Sequence, residues 1–223
     1  MVTALFSIDE AALSPLSPAT LADQVADKIV EAIAARRLAS QERLIETELA
    51  AALHVSRVPV REAIRILTSQ GIVVASPRRG VRVATFDAAW ARQLHDARVA
   101  VERLGAHLAA DVVRRDQAAL ARLESCVGAI ERARGHWLSV NRADIAFHAA
   151  LFDIAGSPLM ITLWNAISRH VLIMFSIETY RDVDFDRVIE EHRVYIDALL
   201  HETPEGLDEE IDRHVAGLRT FEI

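Results

Sequence analysis

The order of local signals between residues 46 and 83 decides the fold; this stretch reads ETELAAALHVSRVPVREAIRILTSQGIVVASPRRGVRV. Helical periodicity predicts a short helix over 46–53, followed by a tight turn. A second helix begins near Ser56, which can cap it, and ends at about Gln70, because Gly71 follows. Apolar residues with helical spacing give this second helix an inward-facing stripe of Val60, Ala63, Ile64 and Leu67.

Two short β-type runs follow the second helix. Ile72-Val73-Val74 and Val81-Arg82-Val83 flank a Pro/Gly turn, and this pattern predicts a β-hairpin. Before residue 46, an apolar repeat of four predicts another helix over roughly 21–36, for which Thr20 is a suitable N-cap. The order helix, helix, turn, helix, hairpin is that of a winged helix-turn-helix, with the hairpin as the wing.

The rest of the chain is predicted to be helical. Beyond Phe86 the β signal disappears, and helical patterns follow at about 88–112, 116–133, 136–155, 158–179, 184–202 and 206–220. We therefore predict a mainly α protein with an N-terminal winged helix-turn-helix of three helices plus a β-hairpin, followed by an all-α helical bundle. The predicted segments are a flexible arm over 1–18 with two Ser-Pro pairs, a DNA-binding domain over 19–86 and a helical domain over 87–223.

Composition and charge narrow the function classes. No stretch approaches the ~20 uninterrupted apolar residues of a membrane span, no signal peptide is visible, and the single cysteine, Cys126, excludes an internal disulfide. We expect a cytoplasmic protein without a membrane partner. The net charge of −7 is unevenly distributed, since residues 57–82 hold six arginines and one acid, Glu62, whereas the helical half is acidic. Nucleic acid is attracted by the electrostatic potential of the surface that it contacts, and not by the net charge of the whole chain. The basic stretch is therefore a candidate DNA-binding segment.

Arginines of the second helix of this stretch and of the hairpin are the candidate DNA contacts. Arg57, Arg61 and Arg65 recur every four residues along one face, a spacing that suits insertion of the helix into the major groove. An ordinary solvated basic face has the same pattern, and the preceding helix, turn and basic hairpin favour DNA binding over it. At the hairpin tip, the residues predicted to approach the backbone or minor groove are Arg78, Arg79 and Gly80.

Four polar residues fall on apolar helix stripes in the predicted bundle. Asp144 and His148 lie one turn apart on the inner face of the helix 136–155, while His192 and His214 interrupt the stripes of two later helices. Each buried polar group needs a partner, and one divalent cation could satisfy all four. Hydrogen-bonded core residues are the alternative that spacing alone leaves open. The ligand types favour Zn, Ni, Mn or Fe over Ca or Mg.

A cation and a further histidine also point inward. Arg98 lies on an otherwise apolar stripe, which suggests that it binds the carboxylate of a small effector. The alternative is an ion pair with a buried acid such as Glu102 or Asp144. His170, on the inner face of the helix 158–179, is a second predicted effector-binding residue.

The N-terminal motifs resemble those of the GntR family of winged-helix regulators. The matching residues are Glu46-x-Glu48-Leu49-Ala50, Val55-Ser56-Arg57-x-Pro59-Val60-Arg61-Glu62-Ala63, Gly71 and Arg78-Arg79-Gly80. The resemblance implies a homodimer on a short palindromic DNA operator, with Arg57 and Arg61 contacting bases. The sequence departs from the family pattern at Ala39-Ser40-Gln41, at His54 and at Thr47, where some members carry a DNA-contacting arginine.

The helical half resembles the FCD type of ligand-binding domain in its six-helix form. Its matching motifs are Asp144-x-x-Phe147-His148, Glu191-His192-Arg193 and Arg213-His214, which fall where many such domains hold a metal. The resemblance implies that the domain senses a small organic acid. Together the two resemblances cover nearly all of residues 20–220.

These observations predict a transcriptional repressor that a metal-bound carboxylate metabolite releases from DNA. One alternative is a metal-dependent enzyme that uses the same Asp/His3 site. Against it, the chain has no His-Glu-x-x-His motif and no Gly-rich phosphate loop, so we expect no enzymatic activity. The other alternative is a regulator whose metal is purely structural, or whose ligand is of an acyl type.

Overall fold

The computed structural model of the chain describes residues 20–76, 80–179 and 184–216, and within these ranges it contains nine helices and three strands. The N-terminal elements are α1 (Leu21–Ala34), β1 (Arg43–Leu44), α2 (Glu46–Leu53), α3 (Arg57–Ser69), β2 (Val73–Ser76) and β3 (Gly80–Val83). The remaining helices are α4 (Ala88–Val113), α5 (Gln117–Arg132), α6 (Trp137–Ile154), α7 (Pro158–Thr179), α8 (Phe185–His201) and α9 (Pro204–Ala216). The predicted arm over 1–18 lies outside the described residues.

Local chemistry explains where the first helices begin and end. Thr20 caps α1 through a reciprocal capping box with Asp23, in which each side chain bonds the other residue's backbone N–H. α2 ends at His54, which adopts a left-handed conformation with φ of 54° in place of the glycine that usually occupies such a position. Ser56 stands at the N-cap of α3 as expected, but its side chain makes no capping hydrogen bond.

The N-terminal elements form the predicted winged helix-turn-helix. α1 packs against α3, and β3 pairs antiparallel with both β1 and β2 in the strand order β1-β3-β2. Strand β1 is an addition to the prediction, because two residues give no periodicity to detect. Its pairing of Leu44 with Val81 fixes the base of the wing against the helices. Residues 77–79, which include the predicted contacts Arg78 and Arg79, lie outside the described part of the chain.

Helices α4 to α9 form the predicted helical bundle. Its largest apolar core joins α4, α5, α6, α8 and α9, and a second cluster joins α4, α6 and α7 around Phe152 and Trp164. Among the described residues, one stretch, Pro158–Ser176 of α7, is long and apolar enough to cross a membrane, and 44% of it is buried within the protein. A core helix of a globular protein has the same composition, so this stretch is weak evidence for a membrane span.

The two halves of the chain share a core. Leu172 and Ile173 of α7 are buried in the same apolar cluster as α1 and α3, so the winged unit rests on the bundle through this helix. Ion pairs surround the contact: Arg169 lies 2.8 Å from Asp27, and Arg142 of α6 pairs with Glu31 of α1. The sequence did not predict this contact, because no local pattern shows which surfaces of two domains meet.

Candidate metal centre and DNA-binding face

Three helices bring four polar side chains into the interior of the bundle. α6 carries Asp144 and His148 one turn apart, α8 carries His192, and α9 carries His214. All four are buried, and His148 is completely inaccessible to solvent. Helical spacing places each of them on the stripe that its helix turns toward the core. The four residues predicted as metal ligands therefore lie together in the structure.

The potential ligand atoms face one another at short range. The Nε2 atoms of His148 and His214 are 3.3 Å apart, and one nitrogen from each of the three imidazoles lies within 4.8 Å of the others. Asp144 completes the group, since its carboxylate lies 3.3 Å from Nε2 of His192 and 3.7 Å from Nε2 of His148. This is a three-histidine, one-carboxylate set of the kind that holds divalent transition metals.

The tautomer of His192 brings two hydrogen-bond acceptors together, Nε2 of this ring and the carboxylate of Asp144. Nδ1 of His192 lies 2.8 Å from the carbonyl oxygen of Val188, which can only accept, so this nitrogen carries the ring proton in the neutral imidazole. Nε2 then presents a lone pair to the Asp144 carboxylate. Neither this Nε2 nor Oδ1 of Asp144 has a hydrogen-bond partner among the described residues, although both are buried. A cation or a proton between the two groups resolves the conflict.

Electrostatics within the cluster keep Asp144 and His214 in the protonation states that a metal requires. At His192, burial lowers the pKa, but the charge of Asp144 outweighs it and the pKa is raised. Burial alone raises the pKa of Asp144, but His192, His148 and Arg98 outweigh it and hold that pKa well below its ordinary value. Burial lowers the pKa of His214 well below its usual value, and the neighbouring His192 and His148 lower it further. Metal ligands must be ionised carboxylates and neutral imidazoles, so the shifts of Asp144 and His214 suit a ligand role.

Glu102 of α4 also belongs to the site, and the sequence analysis did not include it among the ligands. It is fully buried, and its Oε2 lies 3.0 Å from Nδ1 of His148. Its Oε1 bonds Nε of Arg98, one turn earlier on the same helix. Burial raises the pKa of Glu102, but the charge of Arg98 and the contact with His148 prevail and lower it to about 2. The i, i+4 spacing of Arg98 and Glu102 was the signal for this pair in the sequence.

The two predicted effector-binding residues lie in different places. Arg98 is buried beside the histidine cluster, with NH2 3.0 Å from Nε2 of His148 and NH1 without a partner among the described residues. His170 lies at the contact with the winged unit, where Nε2 is 2.8 Å from the carbonyl oxygen of Gln70 and Nδ1 accepts from Trp90 at 3.4 Å. These contacts give His170 an interdomain position, and its role in effector binding stays a prediction.

The predicted DNA-contacting arginines are exposed on α3. Arg57, Arg61 and Arg65 are all solvent-accessible and lie four residues apart on the outer face of this helix. Glu46 of α2 lies 3.2 Å from Arg61 and 3.5 Å from Arg57, so it holds both guanidinium groups over the start of α3. Gly80 begins β3 with φ of 72°, a conformation that favours glycine.

Comparison with protein families matches both halves of the chain. The family described as "Bacterial regulatory proteins, gntR family" matches residues 21–83, and the FCD domain matches residues 93–217. A probable D-xylose utilization operon transcriptional repressor of Paenarthrobacter nicotinovorans is 29% identical over 206 residues, which are 90% of this chain and 88% of that protein. The uncharacterized HTH-type transcriptional regulator YdhC of Bacillus subtilis (strain 168) is 24% identical over 176 residues, 78% of each chain.

Solved structures share the fold over about nine-tenths of the chain. McbR/YncC of E. coli superposes with a TM-score of 0.75 at 20% identity and covers 90% of this chain and 98% of its own. A putative GntR regulator of Rhodococcus sp. RHA1 gives 0.71 at 24% identity, covering 91% and 99%. The fold and the relatives are those of transcriptional regulators that bind operator DNA, and not those of enzymes. The chain therefore belongs to the GntR family of transcriptional regulators and carries an FCD domain.

Proposed function

We propose that the protein is a cytoplasmic repressor, active as a homodimer, whose affinity for operator DNA falls when a small organic acid binds at a metal in the helical domain. Residues 19–86 form the DNA-binding part, and residues 87–223 form the sensing part. A repressor role is supported by the similarity to the P. nicotinovorans protein, which is named a probable transcriptional repressor. In this proposal Arg57 and Arg61 contact bases of the operator, and Arg65, Arg78, Arg79 and Gly80 contact the phosphate backbone or the adjacent minor groove.

The metal is held by Asp144, His148, His192 and His214. The observation that carries this proposal is the meeting of two acceptors, Nε2 of His192 and the Asp144 carboxylate, at 3.3 Å in the protein interior. A divalent Zn, Ni, Mn or Fe ion satisfies both groups and the two remaining imidazoles. When bound, the ion would supply a Lewis acid to which an organic carboxylate can coordinate.

Arg98 supplies the second anchor for the effector. Its guanidinium is buried within reach of the cluster, and its NH1 lacks a partner among the described residues. An unpaired buried donor is costly, and a carboxylate that accepts from NH1 removes that cost. Arg98 also pairs with Glu102, as the alternative from the sequence anticipated, and this pair fixes the guanidinium without using all of its donors.

Binding at this centre can alter DNA binding because the same helices contact the winged unit. α6 carries two metal ligands and, two residues before Asp144, Arg142, which pairs with Glu31 of α1. Trp164 of α7 packs against the ring of His148, and Arg169 of the same helix pairs with Asp27 of α1. An effector that favours one arrangement of α6 and α7 thereby changes the spacing of the two DNA-reading heads in a dimer.

Metal analysis of the purified protein tests the first step. We expect about one equivalent of a transition metal per chain in the wild type, and its loss in the His192→Ala/His214→Ala double variant. The matched control is His136→Ala/His201→Ala, which removes two exposed histidines and should retain the metal. A wild-type protein that binds none of the four metals when they are added after chelation would refute the site and leave His192 protonated against Asp144.

Ligand titration tests the second step. A panel of organic acids should raise the melting temperature of the metal-loaded protein and weaken its binding to operator DNA, and both effects should disappear with a chelator. A purely structural metal, one of the alternatives, predicts that chelation lowers the melting temperature while no acid has an effect. If acid and operator bind independently in a joint titration, the proposed regulation is wrong.

A further inference from the structure

We propose that Glu102 is a positioning residue that joins the metal centre to the effector arginine: one carboxylate oxygen orients His148 as a metal ligand, and the other holds Arg98 in place for an anion. The inference rests on the proposed function and assigns a role to a residue outside the proposed ligand set. It concerns the coupling of two binding events within one buried site.

Glu102 is placed to serve both neighbours at once. It lies on α4, while His148 lies on α6, and its carboxylate is completely buried between the two helices. Oε2 lies 3.0 Å from Nδ1 of His148, and Oε1 bonds Nε of Arg98. A buried carboxylate without partners would destabilise the fold by several kcal/mol, so Glu102 needs some partner for its charge. This requirement does not explain why its partners are a proposed metal ligand and the proposed effector arginine.

The contact with Arg98 shows which nitrogen of His148 carries the proton. A guanidinium group can only donate, and NH2 of Arg98 lies 3.0 Å from Nε2 of His148, so Nε2 is the acceptor nitrogen. The proton of the neutral ring is then on Nδ1, which lies 3.0 Å from Oε2 of Glu102, although the two atoms are not aligned as a hydrogen bond. This carboxylate–histidine arrangement directs the Nε2 lone pair toward His214, 3.3 Å away, and so toward the proposed cation.

The same lone pair cannot serve Arg98 and a cation together. A cation bound at Nε2 of His148 excludes the NH2 of Arg98 from that nitrogen, because both positive groups require one lone pair. Glu102 retains Arg98 through Nε, so the guanidinium stays in the site with NH2 and NH1 both open to a carboxylate. Cation binding thus frees the guanidinium of Arg98 to bind an anion, and Glu102 is the residue that keeps this guanidinium in the site.

Metal affinity of Glu102 variants tests the proposal. In competition with a chromophoric chelator, Zn²⁺ should bind Glu102→Gln about 10–100-fold more weakly than the wild type, the effect typical of losing a carboxylate behind a ligating histidine. Glu102→Asp, which keeps the charge, should recover part of the affinity. The control Glu124→Gln changes an exposed acid of α5 and should match the wild type.

A second readout separates positioning from a general effect on stability. In ¹⁵N-histidine NMR spectra of the metal-free protein, His148 should be the Nδ1–H tautomer in the wild type and should populate the Nε2–H tautomer in Glu102→Gln. If Glu102→Gln does not fold, the Arg98→Met/Glu102→Met variant removes the buried charge pair as a unit. Because loss of Arg98 alone frees Nε2 of His148, this variant is compared with Arg98→Met and should bind Zn²⁺ more weakly than it does.

Wild-type Zn²⁺ affinity in folded Glu102→Gln would overturn the positioning role, as would equal affinities of Arg98→Met and the double variant, or an Nε2–H tautomer in the wild type. Failure of the proposed function gives a different result. In that case the wild type itself binds no Zn²⁺, while the NMR spectra still show whether Glu102 selects the tautomer of His148.

Discussion

At the scale of single residues, this chain places its polar side chains in the core where each can meet another polar group. The buried Arg98, Glu102 and His148 form a continuous chain of contacts from α4 to α6. Such networks are costly when one member is removed, because the partner is left charged and unpaired. Arg57 and Arg61 of α3 differ from this buried network, because they are exposed and their ion pairs with Glu46 leave them accessible to a ligand.

Substitution Arg61→Ala should weaken operator binding by about 1–3 kcal/mol if its guanidinium pairs with a guanine edge in the major groove. In the free protein Arg61 lies 3.2 Å from Glu46 and is about half exposed, so its removal should leave the fold intact. A gel-shift titration at fixed salt measures the effect. Arg92→Ala, which removes an exposed arginine of α4, is the control and should bind operator as the wild type does.

Protonation of His170 should weaken the contact between α7 and the winged unit. Burial lowers the pKa of His170, although its bond to the Gln70 carbonyl opposes this, so the ring is neutral when folded. The stability it contributes is therefore present above the ordinary pKa of about 6.5 and is lost as the pH falls through its lower folded value. Urea unfolding at pH 7.5 and 5.5 should show a smaller decrease in His170→Gln than in the wild type; equal decreases would exclude this role.

The sequence revealed some members of the buried cluster and not others, for a physical reason. His148, His192 and His214 each interrupt an apolar stripe. The sequence of a single helix is enough to detect a polar residue on such a stripe. The second role of Glu102 depends on a contact with His148, 46 residues later, and on the direction of one ring. The place of His170 depends on how two domains meet, which no single helix records.

At the scale of elements, helix bounds followed closely from periodicity and capping residues, whereas close packing between helices did not. Gly105 lies inside α4, and from the sequence alone it indicates only a lower helix propensity at this position. In the structure it faces Phe152 of α6, which stacks on Trp164 beside His148. The glycine therefore allows α4 and α6 to approach closely, directly behind the metal centre.

A methyl group at Gly105 should disturb this packing. A Cβ there would overlap the ring of Phe152, so Gly105→Ala should destabilise the fold by about 1–3 kcal/mol despite a gain in helix propensity. Gly128→Ala on α5 is the control, because its Cβ would meet only the mobile end of Arg132, and it should stabilise by up to about 1 kcal/mol. Chemical denaturation of both variants checks the difference, and equal effects would mean that the α4–α6 contact can relax.

At the scale of the whole molecule, the winged unit and the bundle are joined by packing and by charge. The apolar cluster of α1 and α3 includes Leu172 and Ile173, and the surrounding ion pairs use Arg142 and Arg169. Both arginines lie on helices that also shape the histidine cluster, α6 through Asp144 and α7 through Trp164. A change at the cluster can thus reach α1 through two separate connections rather than through a flexible linker.

Removal of both arginines should uncouple sensing from DNA binding. Each of these ion pairs has one partner that is about half exposed and should contribute only about 1 kcal/mol to stability, so Arg142→Ala/Arg169→Ala should fold and bind metal and acid as the wild type does. The change in operator affinity caused by the acid, typically about 1–3 kcal/mol for such coupling, should fall toward zero. Arg122→Ala, which breaks the exposed pair with Asp153 within the bundle, should leave the coupling unchanged.

Linkage supplies an internal check on this result. Because coupling between two binding sites is reciprocal, operator DNA must weaken acid binding by the same factor by which the acid weakens operator binding. Calorimetric titration should therefore show that the wild type binds acid with different affinities in its free and operator-bound forms. In Arg142→Ala/Arg169→Ala the two forms should bind acid with the same affinity. If the double variant keeps both affinities apart, the signal reaches the DNA-binding heads through the shared core of Leu172 and Ile173 instead, and the ion pairs only align the two units.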